Sequence, residues 1–234
     1  MKIGIISDAH GNAICLRLCL DYLKKANVKR KYFLGDAVGY CPDYNPVCSI
    51  LRKEFDLCLL GNHDAVALDH IRKNSFNESI AKISYVKKGL TNTNRKFLLG
   101  LKPMADMKIN NKHILLVHGS PWNPLEEYVY PDSISCDFAS LNYDTIFMGH
   151  THRPFISQVG NLLIVNVGSC GLPRDYGALA SCVIYNTDKN EAQIIRIPLN
   201  KNEINKVYGK KIHKSILNVF ERTEKNVIGK IINL

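Results

Sequence analysis

The residues best suited to chemistry fall into five short clusters within the first 152 positions. They are Asp8-x-His10, Gly35-Asp36, Gly61-Asn62-His63-Asp64, His118-Gly119 and Gly149-His150-x-His152. Most clusters include a glycine, which permits a tight turn. Oxygen and nitrogen ligands without thiolate suit divalent ions such as manganese, iron, zinc, cobalt or nickel, and do not suit a structural zinc site built from cysteines.

Taken singly, each of these residues has an ordinary role as a turn former, a helix N-cap or an interior histidine. A shared metal site is the reading that accounts for all of them at once. Two ions fit better than one, because metals roughly 3.5 to 4 Å apart can share a carboxylate. Such a pair also stabilises both the attacking and the leaving oxygen of a displacement at phosphorus.

A short apolar run precedes each cluster, at residues 3–6, 32–34, 57–60, 114–117 and 146–148. Short runs rich in β-branched and aromatic side chains are typical of strands buried on both faces. In open α/β sheets, ligands bind beyond the carboxyl ends of the strands. We therefore expect the clusters to converge at one edge, although they are far apart in the sequence.

The apolar periodicity predicts helices over residues 13–26 and 45–54, so strands and helices alternate as in an α/β fold. Residues 65–102 are predicted to form two or three helices inserted between strands, covering a substrate pocket. Four strands, at 155–159, 162–165, 178–185 and 192–197, are predicted to build a second sheet. One domain over residues 1–200 would then carry a basic amphipathic helix, residues 201–234, packed on it or extending from it.

The five clusters, in this order and spacing, resemble the motif set of the calcineurin-like metallophosphoesterase superfamily. The resemblance implies a four-layer α-β-β-α sandwich of two packed mixed sheets flanked by helices. It also implies that Asp36 bridges two ions. The expected ligands of the first ion are Asp8, His10 and His152, and those of the second are Asn62, His118 and His150. Residues 166–169 and 172–174 further resemble a loop of the bacterial and archaeal small-phosphoesterase branch.

For the reaction, the resemblance implies hydrolysis of phosphate mono- or diesters by a hydroxide that bridges the metals, with manganese supporting activity in vitro. His63 is the expected general acid, because histidine can give a proton to a leaving alkoxide near neutral pH. Asp64 is expected to hydrogen-bond this imidazole, or alternatively to cap the following helix. A serine/threonine protein phosphatase is not expected, since Gly39-Tyr40-Cys41 and Asp64 depart from that branch.

Several residues near the motifs have two open interpretations. Arg153 and Arg174 are candidates for gripping the phosphate oxygens of the substrate, or are ordinary surface arginines. Tyr40 and Trp122 either stack on a base or sugar or pack in the core or at the rim of the site. The eight cysteines are expected to be reduced, since no export signal precedes them. A redox or metal role is left open for Cys41 and Cys170.

The formal net charge of +10 motivates an alternative function as a nuclease or RNA phosphodiesterase. A non-catalytic interaction scaffold on the same fold is a further alternative, which the presence of His63 argues against. The expected partner is a small phosphorylated substrate, nucleotides included, and not a membrane. A cytoplasmic location is expected, and exposed apolar residues such as Ile228, Ile231 and Ile232 would suit a homodimer contact.

Overall fold

A computed structural model describes residues 1–72 and 77–232. The chain opens with alternating strands and helices, close to the predicted positions. The strands are β1 (Lys2–Ile6), β2 (Arg30–Phe33) and β3 (Leu57–Cys58), and the helices are α1 (Ala13–Lys25) and α2 (Tyr44–Glu54). The three strands are parallel neighbours in one sheet, so their carboxyl ends lie on the same side.

The first sheet has six strands in the order β11-β10-β9-β1-β2-β3. Its later members are β9 (Leu179–Asn186), β10 (Glu191–Pro198) and β11 (Lys230–Ile231). The second sheet has the order β4-β5-β6-β8-β7. Its members are β4 (Met104–Ile109), β5 (Lys112–Val117), β6 (Thr145–Met148), β7 (Phe155–Val159) and β8 (Leu162–Asn166).

The prediction that the strands after His150 build the second sheet was wrong. They divide between the two sheets, because β7 and β8 extend the second sheet beyond β6 while β9 pairs antiparallel with β1. This pairing places β1 in the interior of its sheet, which agrees with its unbroken apolar run. The strand β4 was not predicted, because it lacks the continuous apolar run by which the buried strands were recognised. Its side chains are intermediate or exposed along its length.

The two mixed sheets pack face to face and are flanked by helices, as predicted. Their shared core includes Ile3 and Ile5 from the first sheet and Leu116 and Phe147 from the second. Helix α1 covers the other face of the first sheet so closely that a Cβ at Gly4 would lie 2.6 Å from Leu23 Cδ1. The outer face of the second sheet is covered by the 129–141 segment, with short 3₁₀ helices at Pro131–Ser133 and Cys136–Ser140.

The predicted helical insertion contains four helices in its described part: α3 (Asn62–Ala67), α4 (Glu78–Ala81), α5 (Ile83–Gly89) and α6 (Asn92–Leu99). Residues 73–76 of that prediction lie outside the described residues. Helix α5 contacts α3, and α6 contacts α2. The insertion therefore packs directly beside the strand ends that carry the candidate ligands.

The prediction of a single C-terminal helix was wrong for residues 201–232, while residues 233–234 lie outside the described part. The segment forms α7 (Lys201–Tyr208), α8 (Lys214–Val219) and the strand β11. The helix is interrupted because α7 ends at Gly209 and the His213 side chain caps a new helix by accepting a bond from Ser215 N. Ile228 and Ile231 are 44% and 51% exposed, and the proposed homodimer contact stays a prediction.

No helix within residues 1–72 and 77–232 has the length and apolar character needed to cross a membrane.

Candidate metal centre

The candidate ligands follow the strands that were expected to position them. Asp8 and His10 follow β1, Asp36 follows β2, and Asn62 begins α3 just after β3. His118 follows β5, and His150 and His152 follow β6. The members of this set are no more than 3% exposed: Asp8, His10, Asp36, Asn62, His118, His150 and His152. Five chain segments thus bring seven polar side chains into one buried cluster.

The first group of ligand atoms comes from Asp8, His10, Asp36 and His152, whose atoms all lie within 4.8 Å of one another. The Nε2 atoms of His10 and His152 are 2.9 Å apart. Asp8 Oδ1 is 3.3 Å from His152 Nε2, and Asp36 Oδ2 is 3.5 Å from His10 Nε2. This buried Asp8 oxygen has no hydrogen-bond partner among the described residues.

The backbone around the imidazoles fixes which nitrogen faces the cluster. Carbonyl oxygens accept bonds from Nδ1 of His10 at 3.2 Å, of His118 at 2.7 Å and of His152 at 2.7 Å. A carbonyl can only accept, so each Nδ1 carries the proton in a neutral ring and each Nε2 presents a lone pair. Two such lone pairs at 2.9 Å repel one another unless a cation lies between them, so the donor set fits a metal ion.

The second group comes from Asp36, His118 and His150, again with ligand atoms within 4.8 Å of one another. Asn62 Oδ1 lies 3.1 Å from His118 Nε2 and completes this side. Asp36 takes part in both groups. Its Oδ1 is 3.6 Å from His118 Nε2, whereas its Oδ2 faces His10. One carboxylate thus presents one oxygen to each group, which is the arrangement needed for a bridging ligand.

Five of the candidate ligands adopt a left-handed backbone conformation. The φ angles are 56° at Asp8, 49° at His10, 60° at Asp36, 66° at His150 and 60° at His152. A non-glycine residue in this region costs of order 1 to 3 kcal/mol and is concentrated at functional sites. The turns are held by backbone bonds between neighbouring strand ends, including Asp8 N to Gly35 O and His10 N to Asp36 O, both at 3.0 Å.

The electrostatics favour neutral imidazoles beside ionised carboxylates. Burial, together with the neighbouring His152 ring, holds the pKa of His10 well below its ordinary value. Burial also lowers the pKa of His152, with a further contribution from Arg174. Burial raises the pKa of Asp8, but its interactions with the neighbouring histidines, chiefly His152, act in the opposite direction, and the net effect is a lowered pKa. These are the protonation states that metal binding requires.

The predicted acid, His63, is buried beside the first group of ligands. Its ring centroid lies 4.7 Å from that of His10 and 4.7 Å from that of Tyr40. Burial, followed by repulsion from His10 and His152, holds the pKa of the imidazole well below its ordinary value. His63 is thereby neutral in the free protein, within contact distance of the candidate metal centre.

Asp64 makes contacts other than the one implied by the resemblance. Its Oδ2 accepts bonds from Gly61 N at 3.1 Å and Ala37 N at 3.2 Å, and its Oδ1 accepts one from Val38 N at 3.1 Å. Among the described residues, these main-chain bonds stand in place of a bond to the His63 imidazole. Burial raises the pKa of Asp64 to about 6, against the effect of these N–H donors. Asp64 therefore caps α3, the alternative left open by the sequence.

Arg174 lies at the cluster, and the structure adds a tyrosine that the sequence did not suggest. Burial raises the pKa of the Tyr40 phenol to about 12 and also raises that of Tyr128, and the nearby Arg174 partly offsets both effects. Tyr128 stacks on His150 with ring centroids 3.9 Å apart. It lies on the long loop after His118, whose path has no periodic signal in the sequence.

The other candidates lie elsewhere. Arg153 pairs with Glu224 in the C-terminal segment, with its side chain 40% exposed, so its guanidinium is engaged away from the cluster. Trp122 is 51% exposed and packs edge-on against Phe138 on the outer face of the second sheet.

Cys41 and Cys170 do not take part in either group of potential ligands among the described residues. Burial raises the pKa of Cys41 to about 12 and raises that of Cys170 as well. A buried thiol with a raised pKa is a poor metal ligand and a poor nucleophile. The redox or metal role that the sequence left open for these two residues is not supported.

Comparison with known proteins gives a consistent result. The model of the calcineurin-like phosphoesterase superfamily domain matches residues 1–190. An uncharacterized protein of Methanocaldococcus jannaschii, MJ0912, is 34% identical over 89% of this chain and 90% of its own. The phosphodiesterase MJ0936 of the same organism is 24% identical over 73% of this chain and 84% of its own.

The fold also matches solved structures. A metallophosphoesterase from Sphaerobacter thermophilus superposes with a TM-score of 0.79 at 24% identity, covering 94% of this chain and 98% of that one. On the family match, the relatives and the geometry together, the chain belongs to the calcineurin-like phosphoesterase superfamily.

Proposed function

We propose that the protein is a phosphoesterase that uses two divalent ions to hydrolyse phosphate esters of small molecules. The observation that carries this proposal is the orientation of the ligand atoms. Three imidazole Nε2 lone pairs and the Asp8 and Asp36 carboxylates face one buried space, and Asp36 offers one oxygen to each side. With Asn62 and His150 the candidate ligands number seven, which is too many for one ion in this arrangement. Two ions that share Asp36 account for all seven.

The ligand assignment follows the two groups. Asp8, His10 and His152 would hold one ion, and Asn62, His118 and His150 the other, with Asp36 between them. When bound, the ions would supply Lewis acidity at the phosphoryl group and a water of lowered pKa. Manganese is the first ion to test in vitro, since carboxylate and imidazole ligands suit it.

His63 would act on the leaving side of the reaction. Hydrolysis adds the elements of water across a P–O bond: the hydroxyl joins phosphorus, the bond to the leaving oxygen breaks, and that oxygen takes up a proton. His63 can supply this proton from its imidazole. A bound phosphate opposes the burial that lowers the pKa of His63, because a neighbouring negative charge favours the protonated ring. The acid would therefore form in the substrate complex.

Arg174 would hold a phosphoryl oxygen, because its backbone N–H donates to His152 O at 3.1 Å and its positive charge acts on the imidazoles of His10, His63 and His152. An arginine grips phosphate oxygens through a fork of N–H donors. Diesters are the first substrates to test, since a relative that aligns with 73% of this chain is named a phosphodiesterase. The presence of His63 together with a full ligand set supports an enzyme over a non-catalytic scaffold.

The test is the dependence of turnover on the leaving group. In the manganese-loaded protein, His63→Ala should lower kcat by about 10² to 10⁴-fold for alkyl phosphodiesters, whose leaving oxygens need a proton. The loss should be much smaller for bis(p-nitrophenyl) phosphate, whose leaving group departs as a stable anion. His70→Ala, at an exposed position, serves as the control. Equal losses for good and poor leaving groups at unchanged metal content would contradict the assigned role.

A further inference from the structure

A cavity lies beside the candidate metal centre. Its volume is about 470 Å³, within the range of roughly 300 to 1,000 Å³ that is typical of small-molecule sites. Three chain segments meet around it: the loop that follows Asp36, the α4–α5 part of the insertion, and the turn between α7 and α8. The lining includes Tyr40, Tyr44, Lys82, Tyr85, Lys210 and Lys211.

Tyr40 both lines this cavity and contacts residues of the candidate metal centre. One side of its ring contacts His63, at 4.7 Å between centroids, and His10, at 4.8 Å. The Tyr40 backbone has a φ of 58° and donates its N–H to Ala81 O at 2.9 Å. The insertion is thereby fixed to the loop that carries the motif residues, so the position of the cavity relative to His63 is built into the fold.

The lining combines positive charge with aromatic surface. Three of the described lining residues are lysines and none is acidic. Lys82 adopts a left-handed conformation with a φ of 54°, and its Nζ donates to Lys211 O at 2.7 Å. The rings of Tyr44 and Tyr85 meet edge-on at 6.0 Å, and Tyr85 is 63% exposed. An exposed tyrosine beside lysines can stack on an aromatic ring while the lysines bind an anion.

We propose that this cavity binds the leaving group of the substrate, and that this group is a nucleotide. The inference rests on the proposed function, because it uses His63 as the proton donor to the leaving oxygen. Whatever is attached to that oxygen lies on the His63 side of the centre, and Tyr40, which contacts His63, also lines the cavity. A nucleotide carries the two features that the lining matches, a negatively charged phosphate and an aromatic base.

The first test measures binding and does not depend on turnover. Dissociation constants for adenosine 5′-monophosphate and for inorganic phosphate are measured by calorimetry with the manganese-loaded protein. The triple variant Lys82→Ala, Lys210→Ala, Lys211→Ala should weaken the nucleotide at least about tenfold relative to inorganic phosphate, which needs only the metal centre. An equal effect on both ligands, or none on either, overturns the proposal.

Two further variants make the result specific. The triple variant Lys108→Ala, Lys189→Ala, Lys225→Ala removes the same charge from exposed positions outside the cavity, and it should keep the wild-type ratio of the two constants. Tyr85→Ala should weaken adenosine 5′-monophosphate and not ribose 5-phosphate, because only the former has a base to stack. Equal weakening of these two ligands would refute the aromatic part of the proposal.

Turnover measurements distinguish failure of the nucleotide cavity from failure of the proposed phosphoesterase function. If nucleotide binding behaves as expected but no phosphate ester is hydrolysed, the cavity is a nucleotide site and the phosphoesterase proposal fails. If aryl phosphodiesters are hydrolysed but the lysine variant does not change the ratio of the dissociation constants, the phosphoesterase proposal stands and the nucleotide cavity is refuted.

Discussion

The ion pair between Arg196 and Asp175 provides a quantitative test of how the loop beside the candidate metal centre is held. Arg196 lies on β10 and is 0% exposed, and Asp175 is 6% exposed. The guanidinium donates to both carboxylate oxygens, at 2.6 and 2.9 Å, and also to Leu179 O at 2.9 Å. Because Asp175 directly follows Arg174, this pair anchors the loop that carries the proposed phosphate-binding arginine.

Removing one partner of a buried pair leaves the other charge without compensation, which costs about 3 to 5 kcal/mol. Arg196→Met should therefore lower the free energy of unfolding by that amount. In a chain of this size, each kcal/mol shifts Tm by about 2 to 4 °C. The expected fall in Tm is thus about 6 to 20 °C, measured by circular dichroism alongside urea unfolding at neutral pH.

The molecule contains a matched control in the pair of Arg153 with Glu224, whose side chains are each 40% exposed. A solvent-exposed pair contributes about 0 to 1 kcal/mol, so Arg153→Met should shift Tm by no more than about 4 °C. The double variant Asp175→Leu, Arg196→Met should be more stable than Arg196→Met, because no uncompensated charge remains. A loss below about 1 kcal/mol in Arg196→Met, or no recovery in the double variant, would refute this reasoning.

Two further predictions concern metal binding and thiol reactivity. Asp36→Ala should reduce the metal content from about two ions per chain to below one, whereas His118→Ala should retain one ion, because only Asp36 faces both groups. Atomic emission after dialysis measures the metal content. Two ions retained by Asp36→Ala would count against a bridging role. All eight cysteines lie in the described part and Cys136 is the exposed one, so one thiol should react rapidly with Ellman's reagent at pH 8 and Cys136→Ser should abolish that phase. Cys41, whose pKa burial raises to about 12, should react only on unfolding; rapid labelling of the native protein there would contradict its placement.

The sequence was sufficient to predict that the candidate ligands lie together, because both features on which that prediction depends are local. An apolar run of three or four residues marks a buried strand, and the polar residues just after it mark the strand end. The ends of β1, β2 and β3 in one sheet and of β5 and β6 in the other do lie together. No knowledge of strand order was needed, since only the direction of each strand decides where its ligands emerge.

The parts that could not be predicted depend on non-local pairing. The assignment of β9 to the first sheet is decided by its fit beside β1, and no feature of residues 179–186 alone specifies that neighbour. Tyr128 reaches His150 through an irregular loop, and Arg196 meets Asp175 across 21 residues. The C-terminal apolar periodicity correctly predicted helical residues that face the core, since Ile204 and Ile216 are both buried. It did not reveal the break between the two helices, because the apolar residues recur at helical spacing on both sides of it.

The backbone strain at the ligands explains why this site needs the whole double sheet. Each left-handed residue costs of order 1 to 3 kcal/mol, so the strain at Asp8, His10, Asp36, His150 and His152 is comparable with the net stability of about 5 to 15 kcal/mol of an ordinary domain. Isolated loops would relax out of such conformations. Here backbone bonds between neighbouring strand ends hold the turns, including Asp8 N to Gly35 O and His10 N to Asp36 O, both at 3.0 Å. The packing around them is close, since a Cβ at Gly61 would lie 2.1 Å from Asp36 Oδ1. The two sheets therefore order the candidate ligands without an ion, so metal binding would not have to meet the cost of ordering them.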